Sequence, residues 1–96
     1  MQAQNGDSTK YKLRLYVTGA SPNSVRAIEN VKQVCEEYLR GNYELEIIDV
    51  YQHPLIAQEQ QVVALPLLIK SKPLPFKRLI GDMSDSNKVL TGLGLK

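Results

Sequence analysis

The stretch "LYVTGASPNSVRAIENVKQVCEEYL", from Leu15 to Leu39, contains the pattern that decides the fold. It begins with alternating apolar residues, passes through a short polar turn and continues as a long segment with apolar residues at regular wider intervals. The first pattern is typical of a β-strand and the last of an amphipathic helix. The stretch therefore predicts a strand, a tight turn and a helix in succession.

The predicted strand has one strongly apolar face. Its residues divide into an apolar set, Leu13, Leu15 and Val17, and an opposite set, Lys12, Arg14 and Tyr16. Alternation with a period of two residues predicts a strand with one face in the core.

The helix that follows has a start signal, an apolar stripe and a stop signal. Ser21 is a residue type that caps helices, and Pro22 suits the first helical turn. The stripe consists of Val25, Ile28, Val31, Cys35 and Leu39. Gly41 then ends the helix. We expect the stripe to face the sheet.

A second strand is predicted in the segment "NYELEIIDV". A strand, a helix and a second strand predict a βαβ unit with parallel strands and a right-handed crossover. Lys12 and Arg14 then lie beside Glu44 and Glu46, which gives the polar face complementary charges. The same face becomes apolar toward the strand ends, so we expect another element to cover it there.

Residues 52–96 show a less regular pattern. A short helix, "PLIAQEQQVV", is predicted from Pro54 and is the candidate cover for that apolar end. Strands are predicted at Leu67–Ile69 and Phe76–Ile80, joined by the turn "SKPLP". The segment "VVALPLLI" fits a buried strand or a buried helix, because periodicity does not distinguish them in a short apolar run.

The last segment, "SDSNKVLTGLGL", predicts a final helix capped by Ser84. Gly92 and Gly94 suit this helix poorly, because each costs about 1 kcal/mol relative to alanine inside a helix. The sequence thus predicts an α/β fold in which a βαβ unit is followed by a helix, a hairpin and a helix. We expect one domain over residues 10–96 and a disordered segment at residues 1–9.

The composition is that of an ordinary globular domain. The 96 residues are 43% hydrophobic and 23% charged, and the net charge of +2 is too small to indicate a nucleic-acid partner. Cys35 is the single cysteine, which excludes an internal disulfide and a cysteine-based metal site; its place on the stripe predicts a buried thiol. His53 has no second ligand near it in the sequence. Without an apolar signal core or a membrane-length apolar run, we expect a cytoplasmic protein.

Charge is unevenly distributed along the chain. Residues 64–80 contain four cations and no acid, whereas residues 36–59 contain six acids and one arginine. Such polarity favours steering onto an oppositely charged protein surface, or contact between two copies of the chain. Solvated faces of a small domain explain it equally well.

The order of elements resembles a thioredoxin-like fold. Redox proteins with this fold keep a Cys-x-x-Cys pair at the turn between the first strand and helix, but residues 19–24 contain no cysteine. The resemblance also implies a cis-proline at the start of the third strand, which corresponds here to Leu65–Pro66.

Longer segments resemble the KaiB family, the small partner proteins of KaiC-type ring ATPases. The resemblance covers residues 11–95 and is carried by "LRLYVTGASPNSVRAIENVKQV", "YELEIIDVYQHPLIAQEQQVVALPLLIK", "PLPFKRLIGDMSD" and "KVLTGLGL". It implies a non-catalytic regulator that binds a KaiC-like ATPase and modulates its phosphorylation and ATPase cycle. It also implies a metamorphic protein, with an inactive and usually tetrameric ground state and a thioredoxin-like binding form that differs from it in residues 52–96.

The resemblance assigns residues to two surfaces and to the fold switch. The cations that correspond to the KaiC-facing set are Arg26, Lys70, Lys77 and Arg78. The partner surface on the second strand contains Tyr43, Glu44 and Glu46. The fold-switch region contains Pro66, Gly92 and Gly94. The resemblance implies neither a cofactor nor a metal.

The sequence departs from clock-type members of the family in two places. They usually carry a small residue and a lysine at the positions of Glu44 and Glu46, in the segment that contacts KaiA. They usually carry an acidic residue at the position of Gly94 and continue beyond that of Lys96. These differences make KaiA a doubtful partner and favour a KaiA-independent timing or stress-adaptation system over a circadian clock.

Two other classes of function are weighed against this interpretation. A thioredoxin-like enzyme is disfavoured, because the turn lacks cysteine and Ser21 and Ser24 have no visible His–Asp support for nucleophilic chemistry. A thioredoxin-like sensory module that binds a signalling kinase would use the same fold. We also expect self-association to a dimer or tetramer, and no binding to nucleic acid or membranes.

Overall fold

The computed structural model describes residues 10–59 and 65–96. The disorder expected for residues 1–9 and the end of the helix predicted from Pro54 lie outside these ranges. The elements follow in the order β1 (Tyr11–Val17), α1 (Pro22–Tyr38), β2 (Tyr43–Asp49), α2 (Pro54–Glu59), β3 (Leu67–Lys72), β4 (Lys77–Ile80) and α3 (Ser86–Gly92). Among these helices, none combines the length and the apolar character needed to cross a membrane.

The strands form one four-stranded sheet in the order β2-β1-β3-β4. β1 pairs in parallel with β2 and antiparallel with β3, and β4 is antiparallel to β3. The register places Lys12 opposite Glu44 and Arg14 opposite Glu46. The predicted βαβ unit and its complementary polar face are therefore confirmed.

Two apolar clusters lie on opposite faces of the sheet. The cluster around Leu13 and Leu15 packs against α1 and α3. The cluster around Tyr16 contains Ile48 and partly buried residues that include Ile56 of α2. The cover predicted for the apolar end of the second face is thus α2.

Helix α1 begins as the sequence predicts, but its buried face is rotated. Ser21 is the N-cap, and its hydroxyl accepts a hydrogen bond from the backbone N–H of Ser24 at 3.3 Å. Val25, which the sequence pattern assigned to the buried stripe, is 41% exposed, so this assignment is wrong. Ser24 is buried instead, because its hydroxyl accepts a hydrogen bond from the Thr18 N–H at 3.0 Å.

The second half of the chain follows the predicted order of elements. The Leu65–Pro66 bond that precedes β3 is cis, as the resemblance implied, and so are Lys72–Pro73 and Leu74–Pro75 in the β3–β4 connection. β3 extends to Lys72, beyond its predicted end. The carbonyl of Pro66 accepts a hydrogen bond from the Gly81 N–H at 2.9 Å, which ties the start of β3 to the end of β4.

The cap predicted for the last helix is wrong by one residue. Asp85, and not Ser84, is the N-cap of α3, because its carboxylate accepts a hydrogen bond from the Lys88 N–H at 3.2 Å. The backbone N–H of Ser84 instead donates to Asp82 Oδ1 at 3.1 Å. The two carboxylates bond different backbone donors, and the one that caps the helix places its start one residue later than predicted.

The two glycines of the last segment have defined structural roles. Gly92 is the last residue of α3, and a Cβ atom placed on it would lie 2.7 Å from Leu79 Cδ2. Gly94 follows the helix with φ of +77°, a conformation that favours glycine. Gly92 thus permits close packing of α3 on β4, and Gly94 permits the turn after the helix.

An ion pair connects α1 to the loop between β4 and α3. The Arg26 Nε atom lies 3.2 Å from Asp82 Oδ2, and the Asn30 side-chain amide donates to the Asp82 carbonyl at 2.9 Å. The pKa of the Asp82 carboxyl lies below its usual value of 3.8, first because of hydrogen bonds from Ser84 and then because of Arg26.

We expect Gly92→Ala to destabilise the fold by about 1–3 kcal/mol, because overpacking against Leu79 outweighs the gain in helix propensity. Chemical denaturation measures this change in the free energy of unfolding. Combining it with Leu79→Ala should give a smaller loss than the sum of the single variants, since the second substitution removes the clash. A stabilised Gly92→Ala variant would contradict the close packing.

We expect the Asp82 contacts to make stability depend on acid pH. A carboxyl with a lower pKa in the folded state stabilises the fold above its unfolded pKa, and this contribution is lost as the pH falls below 3.8 through the folded pKa. Denaturation midpoints measured across this range should decline less for Asp82→Asn than for the wild type. Glu29→Gln, which removes an exposed carboxylate of α1, should leave the wild-type decline in place.

Candidate functional site

The turn after β1 holds hydroxyl groups where redox proteins of this fold hold cysteines. The Ser21 hydroxyl donates to Ser24 Oγ at 2.9 Å, and Thr18 Oγ1 lies 3.2 Å from Ser21 Oγ. These hydroxyls cap the helix and connect it to the strand, which confirms the capping interpretation of Ser21. Cys35 lies fully buried in α1, and burial, followed by the nearby Glu36, raises its pKa to about 11. The thiol is therefore protonated at neutral pH and shielded from reactants.

The structure places the predicted KaiC-facing cations at different depths. Lys77 and Arg78 are exposed on β4, an edge strand of the sheet. Arg26 is exposed on α1 and bound to Asp82. Lys70 is only 2% exposed, so it does not belong to the exposed surface that the other three cations share with the solvent.

Lys70 is buried beneath the end of α3. Its Nζ atom lies 5.9 Å from the centre of the Tyr11 ring, a distance at which a cation–π attraction operates. The Tyr11 hydroxyl donates to the Leu93 carbonyl at 2.8 Å, so both side chains meet the C-terminal end of the helix. Burial, and then the charge of Lys77, lowers the pKa of Lys70. Lys70 thus supports the helix end that lies next to the exposed cations.

A shallow groove lies between the edge strand β4 and α3. Its charged lining residues are Lys77, Arg78, Lys88 and Asp85. We call this surface the cationic groove, because its cations outnumber its one carboxylate. Lys88 was absent from the set predicted by resemblance, although its position in the first turn of the predicted final helix could have indicated it.

The acidic edge of the sheet is neutralised within the chain. Glu46 Oε1 lies 3.1 Å from Arg14 Nε, and Glu44 Oε2 lies 3.5 Å from Lys10 Nζ. The hydroxyl of Tyr43 donates to Glu36 Oε2 at 2.7 Å. Every member of the predicted second-strand surface is therefore engaged in an internal contact, although these pairs are exposed and contribute little to stability.

The predicted fold-switch residues lie at two places in the second half. Pro66 is buried at the start of β3, whereas Gly92 and Gly94 lie at the end of α3. The structure does not bring these two places together.

Sequence reasoning missed a second groove, on the face of the sheet opposite α1 and α3. It has a volume of about 420 Å³, and the residues that line it include Lys12, Arg14, Tyr16, Ile69 and Phe76. We call it the sheet-face groove. The sequence indicated this groove only through Tyr16, an aromatic residue on the same face of β1 as Lys12 and Arg14. Within the described parts of the chain, neither groove is accompanied by a cluster of His, Cys, Asp or Glu that could hold a metal ion.

The sequence is similar to curated KaiB proteins. A family model described as the KaiB domain matches residues 14–95. The circadian clock oscillator protein KaiB of Synechococcus elongatus is 49% identical over 85 residues, which cover 88% of this chain and 83% of that protein. KaiB1 of Synechocystis is 47% identical over 85 residues, 88% of this chain and 81% of that protein.

Solved structures share the fold at lower sequence identity. The N-terminal domain of Synechococcus elongatus SasA has a TM-score of 0.73 and 22% identity, covering 100% of this chain and 94% of that domain. Mitochondrial thioredoxin 3 of Saccharomyces cerevisiae has a TM-score of 0.72 and 16% identity, with coverage of 92% and 80%. These similarities confirm the thioredoxin-like fold class.

The family match spans most of the chain, and the matched relatives are named as clock oscillator proteins and not as enzymes. The chain therefore belongs to the KaiB family and is a non-catalytic regulator with a thioredoxin-like fold.

Proposed function

We propose that this protein binds a KaiC-like ring ATPase through the cationic groove and modulates its phosphorylation and ATPase cycle. The observation that carries the proposal is the clustering of Lys77, Arg78 and Lys88 along one edge of the domain. Clustered charges of one sign accelerate association with an oppositely charged surface and fix its orientation. A regulator without a reactive group acts through such a surface.

Apolar surface beside the groove supports a protein partner. Ile80, the last residue of β4, is 56% exposed. An exposed apolar residue next to clustered cations provides area that a partner can bury, whereas the cations select the charge of that partner. The Arg26–Asp82 ion pair holds the loop that follows Ile80 against α1. We include Arg26 in this binding surface, and we assign Lys70 a supporting role behind it.

The acidic strand supports a KaiA-independent timing or stress-adaptation system. Glu44 pairs with Lys10, and Glu46 pairs with Arg14. The exposed edge of this strand is therefore neutralised and carries no lysine for a partner to bind. A partner whose binding requires a lysine on this strand would meet no equivalent charge. The role that we favour therefore involves the ATPase without KaiA.

We also propose that the packing described here is the binding form of a metamorphic chain, and that the other form self-associates. Two elements of the second half are short, since β4 has four residues and α3 has seven. Short elements have few buried residues to hold them, so a rival packing within a few kcal/mol is physically accessible. The cationic groove is built from two of these elements, so binding would depend on the packing adopted.

We expect Lys77→Glu to weaken binding to the KaiC-like ATPase at least about ten-fold, because it reverses a charge in the groove. Native mass spectrometry and co-elution with the ATPase and ATP measure the complex. Incubation should be long and warm, because a rare binding-competent form lowers the rate and the apparent affinity.

The matched control is Lys32→Glu, which makes the same charge change on an exposed position of α1 away from the groove. It should leave binding close to the wild-type value, and raising the salt concentration should weaken the wild-type complex. An equal loss of ATPase binding in both variants would contradict a specific role of the cationic groove. Absence of any complex with the wild type would overturn the proposed function.

A further inference from the structure

The sheet-face groove has the size and the position of a small-molecule site. Its volume of about 420 Å³ lies in the range of known ligand pockets. It lies on the same face of the sheet as the cluster that packs against α2, and Tyr16 and Ile69 belong to both. The cationic groove is lined by β4 and α3, so the two grooves share no lining residue.

A buried hydroxyl without a partner lies in the lining of the groove. Tyr16 is 0% exposed, and its hydroxyl makes no hydrogen bond in the described structure. The Tyr16 hydroxyl is the first cause of the raised pKa of the Arg14 guanidinium. The two groups nevertheless do not meet the geometry of a hydrogen bond. A buried polar group costs free energy until it is well paired, so this hydroxyl is available to bond a polar atom of a ligand in the groove.

The charged side chains that line the groove are two cations, Lys12 and Arg14, and two carboxylates, Glu44 and Glu46, and both carboxylates are engaged in ion pairs. Glu46 is paired with Arg14, and Glu44 is paired with Lys10, which lies outside the groove. The Lys12 side chain has no ion pair among the residues that the structure describes, and Arg14 carries more N–H donors than one carboxylate engages. Lys12 and the unengaged donors of Arg14 are thus available to an anionic group.

Apolar surface in the groove completes the site. Ile69 is buried in the sheet, and Phe76 is 51% exposed. A half-exposed aromatic ring beside cations offers a stacking surface for a flat ligand ring. The groove therefore combines two cations, a buried hydroxyl and an aromatic ring.

We propose that the sheet-face groove binds a small organic anion that carries a flat ring, of the size of a mononucleotide. Lys12 and Arg14 hold the anionic group, the Tyr16 hydroxyl bonds a polar atom of the ligand, and Phe76 stacks on the ring. Because the groove is formed by β1, β2 and β3 together, the ligand stabilises this packing of the chain by mass action.

The test is an amide-resolved NMR titration of the full chain with adenosine 5′-monophosphate. Saturable shifts should map to β1 and β3 around the groove, and adenosine or inorganic phosphate alone should bind at least about ten-fold more weakly. In a sample whose spectrum shows β3 paired with β1, shifts that map to the cationic groove, equal binding by phosphate alone, or no shift with the nucleotide would overturn the proposal. The KaiC-like ATPase is absent from this experiment, so its result does not depend on the proposed function.

Tyr16→Phe distinguishes a ligand contact from a structural role, because it should stabilise the unliganded fold and weaken nucleotide binding. Removing the hydroxyl should raise the unliganded Tm by about 4 °C or more, since a buried unpaired group is lost. The same variant should weaken nucleotide binding about ten-fold, because the ligand loses its hydrogen bond. Unchanged nucleotide binding would contradict a hydrogen bond between the Tyr16 hydroxyl and the ligand.

A matched pair of lysine variants tests the anion site without touching the core. Lys12→Ala should weaken nucleotide binding about ten-fold, and Lys32→Ala should leave it unchanged, although both remove one exposed positive charge. An equal effect of the two variants would show a general response to net charge and would exclude the site.

Discussion

The pairing of β1 with both of its neighbours is the constraint on which the rest of the structure depends. Leu15 and Tyr16 are adjacent in this strand and both are fully buried, on opposite faces of the sheet. One face packs against α1 and α3, and the other packs against α2. A slip of one residue in the register would turn Lys12 and Arg14 toward the helices and expose the apolar set. This strand lines the sheet-face groove directly, and β4 of the cationic groove is joined to it through β3.

The sequence predicted the first half well because its signals are local and periodic. The alternation in β1 and the cap at Ser21 needed no information from the rest of the chain. The errors arose where side chains bond the backbone: Ser24 is buried through a hydrogen bond from the Thr18 N–H, and Asp85 caps α3 by accepting the Lys88 N–H. The grooves were hidden from sequence reasoning, because each collects residues from several elements.

Function in this chain resides in surfaces and not in reactive groups. The hydroxyls of the turn are engaged in hydrogen bonds that cap α1, and the Cys35 thiol is buried with a raised pKa. What stays available is the cationic groove on one edge and the sheet-face groove on the open face, while the acidic strand is neutralised by its own neighbours. This distribution suits a regulator that recognises a partner by charge and responds to which packing the chain adopts.

The central claim is that the binding surfaces exist only in the packing in which β3 lies beside β1 and α3 lies on β4. Amide-resolved NMR of the full chain, bound to the KaiC-like ATPase ring and isotopically labelled, tests this claim most directly. The account predicts cross-strand contacts between Leu15 and Leu68 and helical contacts within Ser86–Gly92. Helical contacts through Leu67–Lys72, or extended structure in place of α3, in the bound chain would contradict it.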